Sequence, residues 1–420
     1  MAANHRWTFK SRLRARAFGW RGSKTAIARL KEAVSEIKSV NRTDPIAAGD
    51  GAVALMERLW PAFQEIDTSS GALGTAVNTA LAEIIPILIA APATLEVRTA
   101  WLRRLYDAVQ ADGVQYLYPA EERWGEIAVY PELMNAYADL LLPILRRVWH
   151  AEPTDHYVYI TGHTICLSCL LEAGRYEELL DLLTNARNRF WSDQRFGAEA
   201  LTRQGHYDAA LAFADACRRA SIQRYDHQEI DRLCERILLQ AGREEEAYRR
   251  YGPHVGAGST YVGIYRDTLR RYPGREPRQV LLDLIEARGA KGKWFAAAKG
   301  AGFLDIALDC ARSFDAEPAT LVRAARDFAG KNAEFSVQVA LCALWSLLHG
   351  AGYDPDPANV RAAYYHLVAG AVSIGAEAWA RDQAATLATG PCASGREHMQ
   401  KALAQLLQQD GHPSPAEPER

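Results

Sequence analysis

The residues with the types and spacing for metal chemistry are His163, Cys166 and Cys169, in His163-Thr164-Ile165-Cys166-Leu167-Ser168-Cys169. Three-residue steps on a helix keep side chains close to one face, and imidazole with thiolates suits zinc. A structural zinc site takes four ligands, usually with a turn between close cysteines. Here no second cysteine pair lies nearby, and the spacing falls inside an apolar helical pattern of Tyr157, Ile160, Ile165, Leu167 and Leu170. The favoured reading is two buried thiols and a capped or partly exposed histidine. An enzyme or metal protein using His163, Cys166 and Cys169 is the alternative.

Glu121-Glu122-Arg123-Trp124-Gly125-Glu126 could present paired carboxylates for acid–base work, because Glu122 and Glu126 are one helical turn apart. Nothing in the sequence marks the burial that would tune such a pair, so a solvated helix face is the expectation. Asp67-Thr68-Ser69-Ser70-Gly71 offers hydroxyls but no nucleophile-elbow pattern, and reads as helix capping. Between residues 266 and 299 the basic side chains include Arg266, Arg270, Arg271, Arg275, Arg278, Lys291, Lys293 and Lys299, with Trp294 and Phe295 among them. Basic residues interleaved with aromatics could hold a nucleic-acid strand. Asp267, Glu276, Asp283 and Glu286 dilute that field, and the aromatics are spaced like core positions. The expectation is a solvated repeat surface, with an acidic protein partner ahead of nucleic acid.

The elements that would carry these residues repeat. Ala173-Gly174-Arg175-Tyr176-Glu177-Glu178 is echoed at Gln204-Gly205-His206-Tyr207-Asp208, at Ala241-Gly242-Arg243-Glu244-Glu245 and at Ala301-Gly302-Phe303-Leu304-Asp305. Each copy ends an apolar helix at glycine, turns, and opens a second helix with acidic residues near its positive end. The glycines at 174, 205, 242 and 302 lie 31, 37 and 60 residues apart, and the last gap fits two units of about 30. Such periods mean stacked helical hairpins.

The chain has 420 residues, 49% hydrophobic and 24% charged, with a formal net charge of -2. That balance gives no general attraction to nucleic acid or membranes. Seven cysteines, mostly inside apolar helical patterns, read as reduced thiols of a cytoplasmic protein. The most apolar run, from Ile84 to Ala91, is short against the ~20 residues a membrane span needs, and reads as a buried helix.

A basic arm is expected over 1–22 and a helical region over 23–152, with Asp44-Pro45 as a helix start and a break at Glu152-Pro153-Thr154-Asp155. Repeats are expected over 153–350, capping helices over 351–409 (near 358–374 and 396–409), and a disordered tail over 410–420. No segment alternates with the period of a strand.

The repeats resemble the tetratricopeptide pattern, in which a glycine precedes an aromatic and a small-residue pair begins the second helix. Gly174 with Tyr176, Gly205 with Tyr207, and Ala209-Ala210 match it; Glu244 and Leu304 stand at the aromatic position in the other copies. The resemblance covers about half the chain and implies an all-α solenoid, a right-handed superhelix of antiparallel helix pairs. Gly292-Lys293-Trp294-Phe295-Ala296-Ala297-Ala298-Lys299, Ala324-Ala325-Arg326-Asp327-Phe328-Ala329, Trp20-Arg21-Gly22-Ser23 and Asp67-Thr68-Ser69-Ser70-Gly71-Ala72 resemble an uncharacterised bacterial family of similar length. That resemblance brings no activity with it.

These readings converge on a cytoplasmic scaffold or adaptor that holds a peptide or protein partner in a helical-repeat groove, without a cofactor. Arg203, Arg243, Arg266, Arg270, Lys293, Trp294 and Lys299 are the expected lining. Nucleic-acid binding ranks behind the enzyme or metal alternative.

Overall fold

The structure, a computed structural model, describes residues 5–149, 160–186, 190–220, 224–256, 258–352 and 356–411. The expected break at 152–155, most of the turn at 353–357 and most of the C-terminal tail lie outside the described residues. Every regular element described is a helix, and no strand occurs among the described residues. The chain divides into two compact units, Met1–Ala241 and Gly242–Arg420, so the division falls inside the stretch read as repeats.

In the first unit the basic N-terminal arm is anchored by its apolar residues. Trp7, Phe9, Leu13 and Phe18 are all buried, while the arginines between them stay outside. Trp7 lies directly on the Pro45–Phe63 helix at Gly51, where a Cβ would meet the indole at 2.2 Å. Glycine in a helix interior costs roughly 1 kcal/mol against alanine, and here it allows the indole to rest on backbone. Asp44 starts this helix as expected, its carboxylate accepting from the Ala47 N–H at 2.9 Å ahead of Pro45 at the first helical position. In the loop before the Ala72–Ala90 helix, Asp67 accepts from the Ser69 N–H and Ser70 from the Ala72 N–H, but the N-cap position is Gly71 and no side chain caps the helix in the way the sequence suggested.

The Ala72–Ala90 helix is long and apolar enough to cross a membrane by length and composition alone. In the fold it buries Leu73, Val77, Leu81, Ile84, Ile85 and Leu88 against its neighbours. Its C-terminal carbonyls are closed by Arg98, which is 1% exposed. The Arg98 guanidinium donates to the carbonyls of Leu88 (2.9 Å), Ala91 (2.5 Å) and Ile127 (2.8 Å). A cation at the negative ends of two helices needs no carboxylate to be stable.

The glycine turns are one structure repeated. At Gly174, Gly205 and Gly302 φ is 72°, 75° and 84°. At each, the following N–H reaches back five residues (Arg175 to Leu170, His206 to Leu201, Phe303 to Ala298) and the glycine N–H three. This is the left-handed helix C-cap that the sequence implies, and a Cβ there would be strained. Gly242 has φ 73°. A further copy sits at Gly375 (φ 70°), where Ala376 bonds back to Ala371. It opens a helix at Glu377–Thr389, between the Pro357–Ser373 and Glu397–Gly411 helices, that the sequence reading did not expect. Ala380 and Ala384 are its buried residues, and alanines leave no large-residue periodicity to read.

In the second unit the gap between Gly242 and Gly302 contains the pair Tyr261–Arg271 and Pro277–Arg288. The turn between these two helices lacks a positive-φ glycine: Pro277 opens the second helix and the Glu276 carboxylate caps it through the Arg278 and Gln279 N–H groups, while Gly289 (φ 65°) follows that helix at its end. Beyond the Leu304–Ala311 helix the core is carried by Pro318–Phe328, Ala333–Leu348 and Pro357–Ser373, which pack on one another.

Candidate binding groove and a buried ionisable cluster

The first unit turns around the His163–Glu172 helix, in which residues 163–171 are all buried. Five other helices pack on it: Tyr118–Glu121, Trp124–Ala128, Pro131–Trp149, Tyr176–Thr184 and Trp191–Arg203. The approach of Trp124–Ala128 is closest at Gly125, whose N–H donates to Ser168 Oγ at 3.0 Å. A Cβ at Gly125 would lie 2.6 Å from the Ser168 carbonyl oxygen and from Glu172 Cβ. The small residues of this helix follow from that crowding. Cys166 and Cys169 are packing thiols, with Cys166 Sγ donating to the Ala138 carbonyl at 3.8 Å. Burial pushes the Cys166 thiol up to about 12 and raises that of Cys169 well above its ordinary value. Both thiols stay protonated in this packing. Among the described residues no three His, Cys, Asp or Glu side chains come together as a metal site.

Beside this helix runs a groove of about 560 Å³, walled by the Trp191–Arg203 and Arg224–Gln240 helices and by residues 122–126. Its floor is Leu171, Trp191, Phe196 and Leu233. Glu122, Glu126, Glu172, Glu199 and Glu229 line it together with Arg123, Arg195, Arg203, Arg232 and Arg236. Charges of both signs alternate and mostly pair: Arg195 with Glu122 at 2.5 Å, Arg203 with Glu172 at 2.6 Å, Arg123 with Glu126 and Arg236 with Glu199 each at 2.7 Å. Arg232, exposed, makes no ion pair with a described residue.

Directly behind Glu122 and Arg195 lies a set of buried ionisable groups. Glu121 is 3% exposed, and its Oε2 has no hydrogen-bond partner among the described residues. Burial raises its carboxyl to about 7, while His163 pulls the other way and Asp112 and Glu122 reinforce the rise. His163 Nε2 bonds to Asp193 Oδ1 at 3.0 Å, and its Nδ1 lies 3.0 Å from the Ile160 carbonyl oxygen. Burial lowers the His163 imidazole, but the hydrogen bond and charge of Asp193 outweigh it and leave the group above its ordinary value. The Tyr118 hydroxyl is buried beside Glu122, Arg195 and Asp193; burial first, then Glu122, raises it. A carboxyl without a fixed cation next to a histidine–aspartate pair is the arrangement that functional sites use to hold protons near neutrality.

The sequence-selected residues separate between the units. Arg203 lies in the groove. Arg243 stands at the N-cap position of the Glu244–Arg250 helix without a capping hydrogen bond from its side chain, and pairs with Glu246 at 2.6 Å in the second unit. Arg266 and Lys293 are exposed, Lys299 is half-buried, and Arg270 is 77% exposed with Asp267 at 2.5 Å. Trp294 does not line a surface: it is fully buried, donates Nε1–H to the Gly289 carbonyl at 3.1 Å and stacks edge-on against Tyr261. It cannot anchor a partner or stack on a base. A groove at Glu244–Asp283 in the second unit is lined by Glu244, Glu245, Glu276 and Asp283 around Arg275, and another by Leu304, Leu308, Phe335, Ile374 and Trp379. Of the basic residues named from the sequence, Arg275 alone lines either of them, and none of the expected lining residues does.

Of the acidic run, Glu122 and Glu126 are the paired groove residues, and Glu121 is the one taken inside. His163 is shared by the metal reading and the cluster, but its partners are Asp193 and Glu121 rather than Cys166 and Cys169. Those partners are 30 and 42 positions away in the chain, so no local pattern announces them. Comparison with protein-family models, curated proteins and solved structures finds no match in any of the three.

Proposed function

We propose that the protein is a binding protein or adaptor of tetratricopeptide-like build, whose groove over residues 122–236 holds a peptide or protein segment carrying both acidic and basic side chains. The groove itself carries this reading: a concave strip with an apolar floor and five carboxylates interleaved with five guanidinium groups. Half-exposed ion pairs are worth only about 0–1 kcal/mol, so an incoming charged residue can exchange partners with them at little cost. A partner of one sign would leave half the lining unmatched, whereas a mixed segment can match all of it. Arg232 offers a first anchor for a carboxylate.

The repeated left-handed glycine turns support a solenoid of helix pairs, and seven free cysteines suit a reducing, cytoplasmic compartment. A bacterial origin within the resembled family is part of the same proposal. Second-unit nucleic-acid binding loses its aromatic component with the burial of Trp294.

Affinity capture of the tagged full chain from its source cells tests the reading. The double variant Arg232→Glu, Arg236→Glu, both at exposed positions, should lose the partner. Arg266→Glu, Arg270→Glu should retain it. Equal retention by both variants would contradict the groove assignment.

A further inference from the structure

We propose that the cleft between the Ser23–Val40 and Ala72–Ala90 helices is a second docking site, whose occupant is an acidic amphipathic helix of a protein partner. This site is independent of the groove over residues 122–236 and gives the first unit a second binding face with a different charge preference.

The two helices pack on each other and run parallel. Just before they start, the Asp67 N–H donates to the Trp20 carbonyl at 3.0 Å, and towards their ends Lys38 bonds to Glu83 at 2.8 Å. Between them lies a cleft of about 790 Å³ with Ile27, Leu30, Val34, Ala76 and Ala80 on its floor. Thr75 and Thr79 also line it, but their hydroxyls donate to the Gly71 and Thr75 carbonyls and so are taken up by their own helix. The lining runs from residue 27 to the end of the Ser23–Val40 helix, about 20 Å, room for roughly three to four turns of a guest helix.

The charges of the Ser23–Val40 helix are sorted onto two edges. Glu32 accepts from Arg12 and Arg29, and Glu36 from the N–H and hydroxyl of Thr8, so both acids face the N-terminal arm. Lys31, Lys38 and, just past the helix, Arg42 fall at i, i+7 and i+11, and these line the cleft. All three are exposed. Lys31 and Arg42 make no ion pair with a described residue. Lys38 holds Glu83, the one acid in the lining, in a half-exposed pair that a guest carboxylate can exchange at little cost. The surrounding field has the same sign: the first 42 residues carry eleven Lys and Arg against two Glu, in a chain of formal net charge -2. Such a local field draws in acidic segments and repels basic ones.

The shape selects among acidic partners. A concave apolar strip between two helices is filled by a helix laid apolar face down, with its carboxylates reaching the cationic rim. A lipid surface would meet the rims and leave the floor empty. A nucleic-acid strand would find no aromatic in the lining on which to stack a base.

Fluorescence anisotropy on the full chain tests this with a designed helical peptide of about 18 residues. The peptide carries leucine and alanine at i, i+3, i+4 and i+7, and glutamates flanking that stripe at the spacing of Lys31, Lys38 and Arg42. A control of the same composition has its glutamates on the face opposite the stripe. The matched peptide should bind at least tenfold more tightly than the control. Lys31→Glu, Arg42→Glu should weaken it at least tenfold. Thr79→Trp, which fills the cleft from an exposed position without changing its charge, should weaken it at least fivefold. Arg232→Glu, Arg236→Glu should leave it within twofold, which scores this site apart from the groove over residues 122–236. Equal behaviour of the two peptides, including no binding of either up to about 1 mM, would overturn the proposal. So would matched-peptide binding that survives both cleft variants. Tighter binding of phosphatidylserine vesicles or of a thymidine single strand than of the matched peptide, lost in Lys31→Glu, Arg42→Glu, would assign the face to a polyanion and overturn the helix.

Discussion

Asp267 in the second unit and Glu121 in the first are both carboxylates nearly removed from solvent, at 8% and 3% exposure. Asp267 accepts from Arg270 at 2.5 Å and from Arg271 at 3.1 Å on its own helix, and guanidinium groups keep their charge at any physiological pH. The cation that Glu121 feels is His163, an imidazole that titrates where a guanidinium does not and whose Nε2 is already bonded to Asp193. A buried carboxylate beside arginine is a permanent structural ion, whereas one beside histidine is conditional. The second unit uses its buried charge to fasten a helix. The first sets a titrating cluster behind its groove.

The largest test of this contrast removes a permanent cation from the first unit. Arg98→Met leaves the carbonyls of Leu88, Ala91 and Ile127 without their donor, and should cost about 3–5 kcal/mol in chemical denaturation, equally at pH 6 and pH 8. Glu121→Gln should do the reverse: stabilise the first unit by on the order of 2–3 kcal/mol at pH 8 and leave it nearly unchanged at pH 4.5. The sign follows from a folded value raised above the unfolded one, because the ionised wild-type side chain is the costly species. Gly125→Ala drives a Cβ into the Ser168 carbonyl and should cost about 1–3 kcal/mol at any pH, visible as a lower melting temperature. Smallest of all, Arg266→Glu should change stability by less than about 0.5 kcal/mol, because that side chain is exposed and packs no core.

Much of the architecture could be read from the chain. Gly174, Gly205 and Gly302 announce their turns because a left-handed residue after a helix has few chemical solutions, and Asp44-Pro45 announces a helix start for the same reason. The Glu377–Thr389 helix stayed hidden because its buried face is alanine. The site was legible only in fragments: Arg203, Glu122, Glu126 and His163 stood out by type, but their partners are supplied by helices far along the chain. Glu121 shows why. Nothing in Glu121-Glu122 says which carboxylate turns inward, since that depends on where the His163–Glu172 helix passes. Trp294 failed in the opposite sense, because its basic neighbours gave a core aromatic the look of a surface one.

Site-specific photo-cross-linking in the source cells tests the central claim most directly, with a photoreactive residue at position 232 in one chain and at position 266 in another. The account predicts a discrete protein adduct from position 232 and none from position 266. Adducts from 266 with none from 232 would contradict it, and would move the binding surface to the second unit.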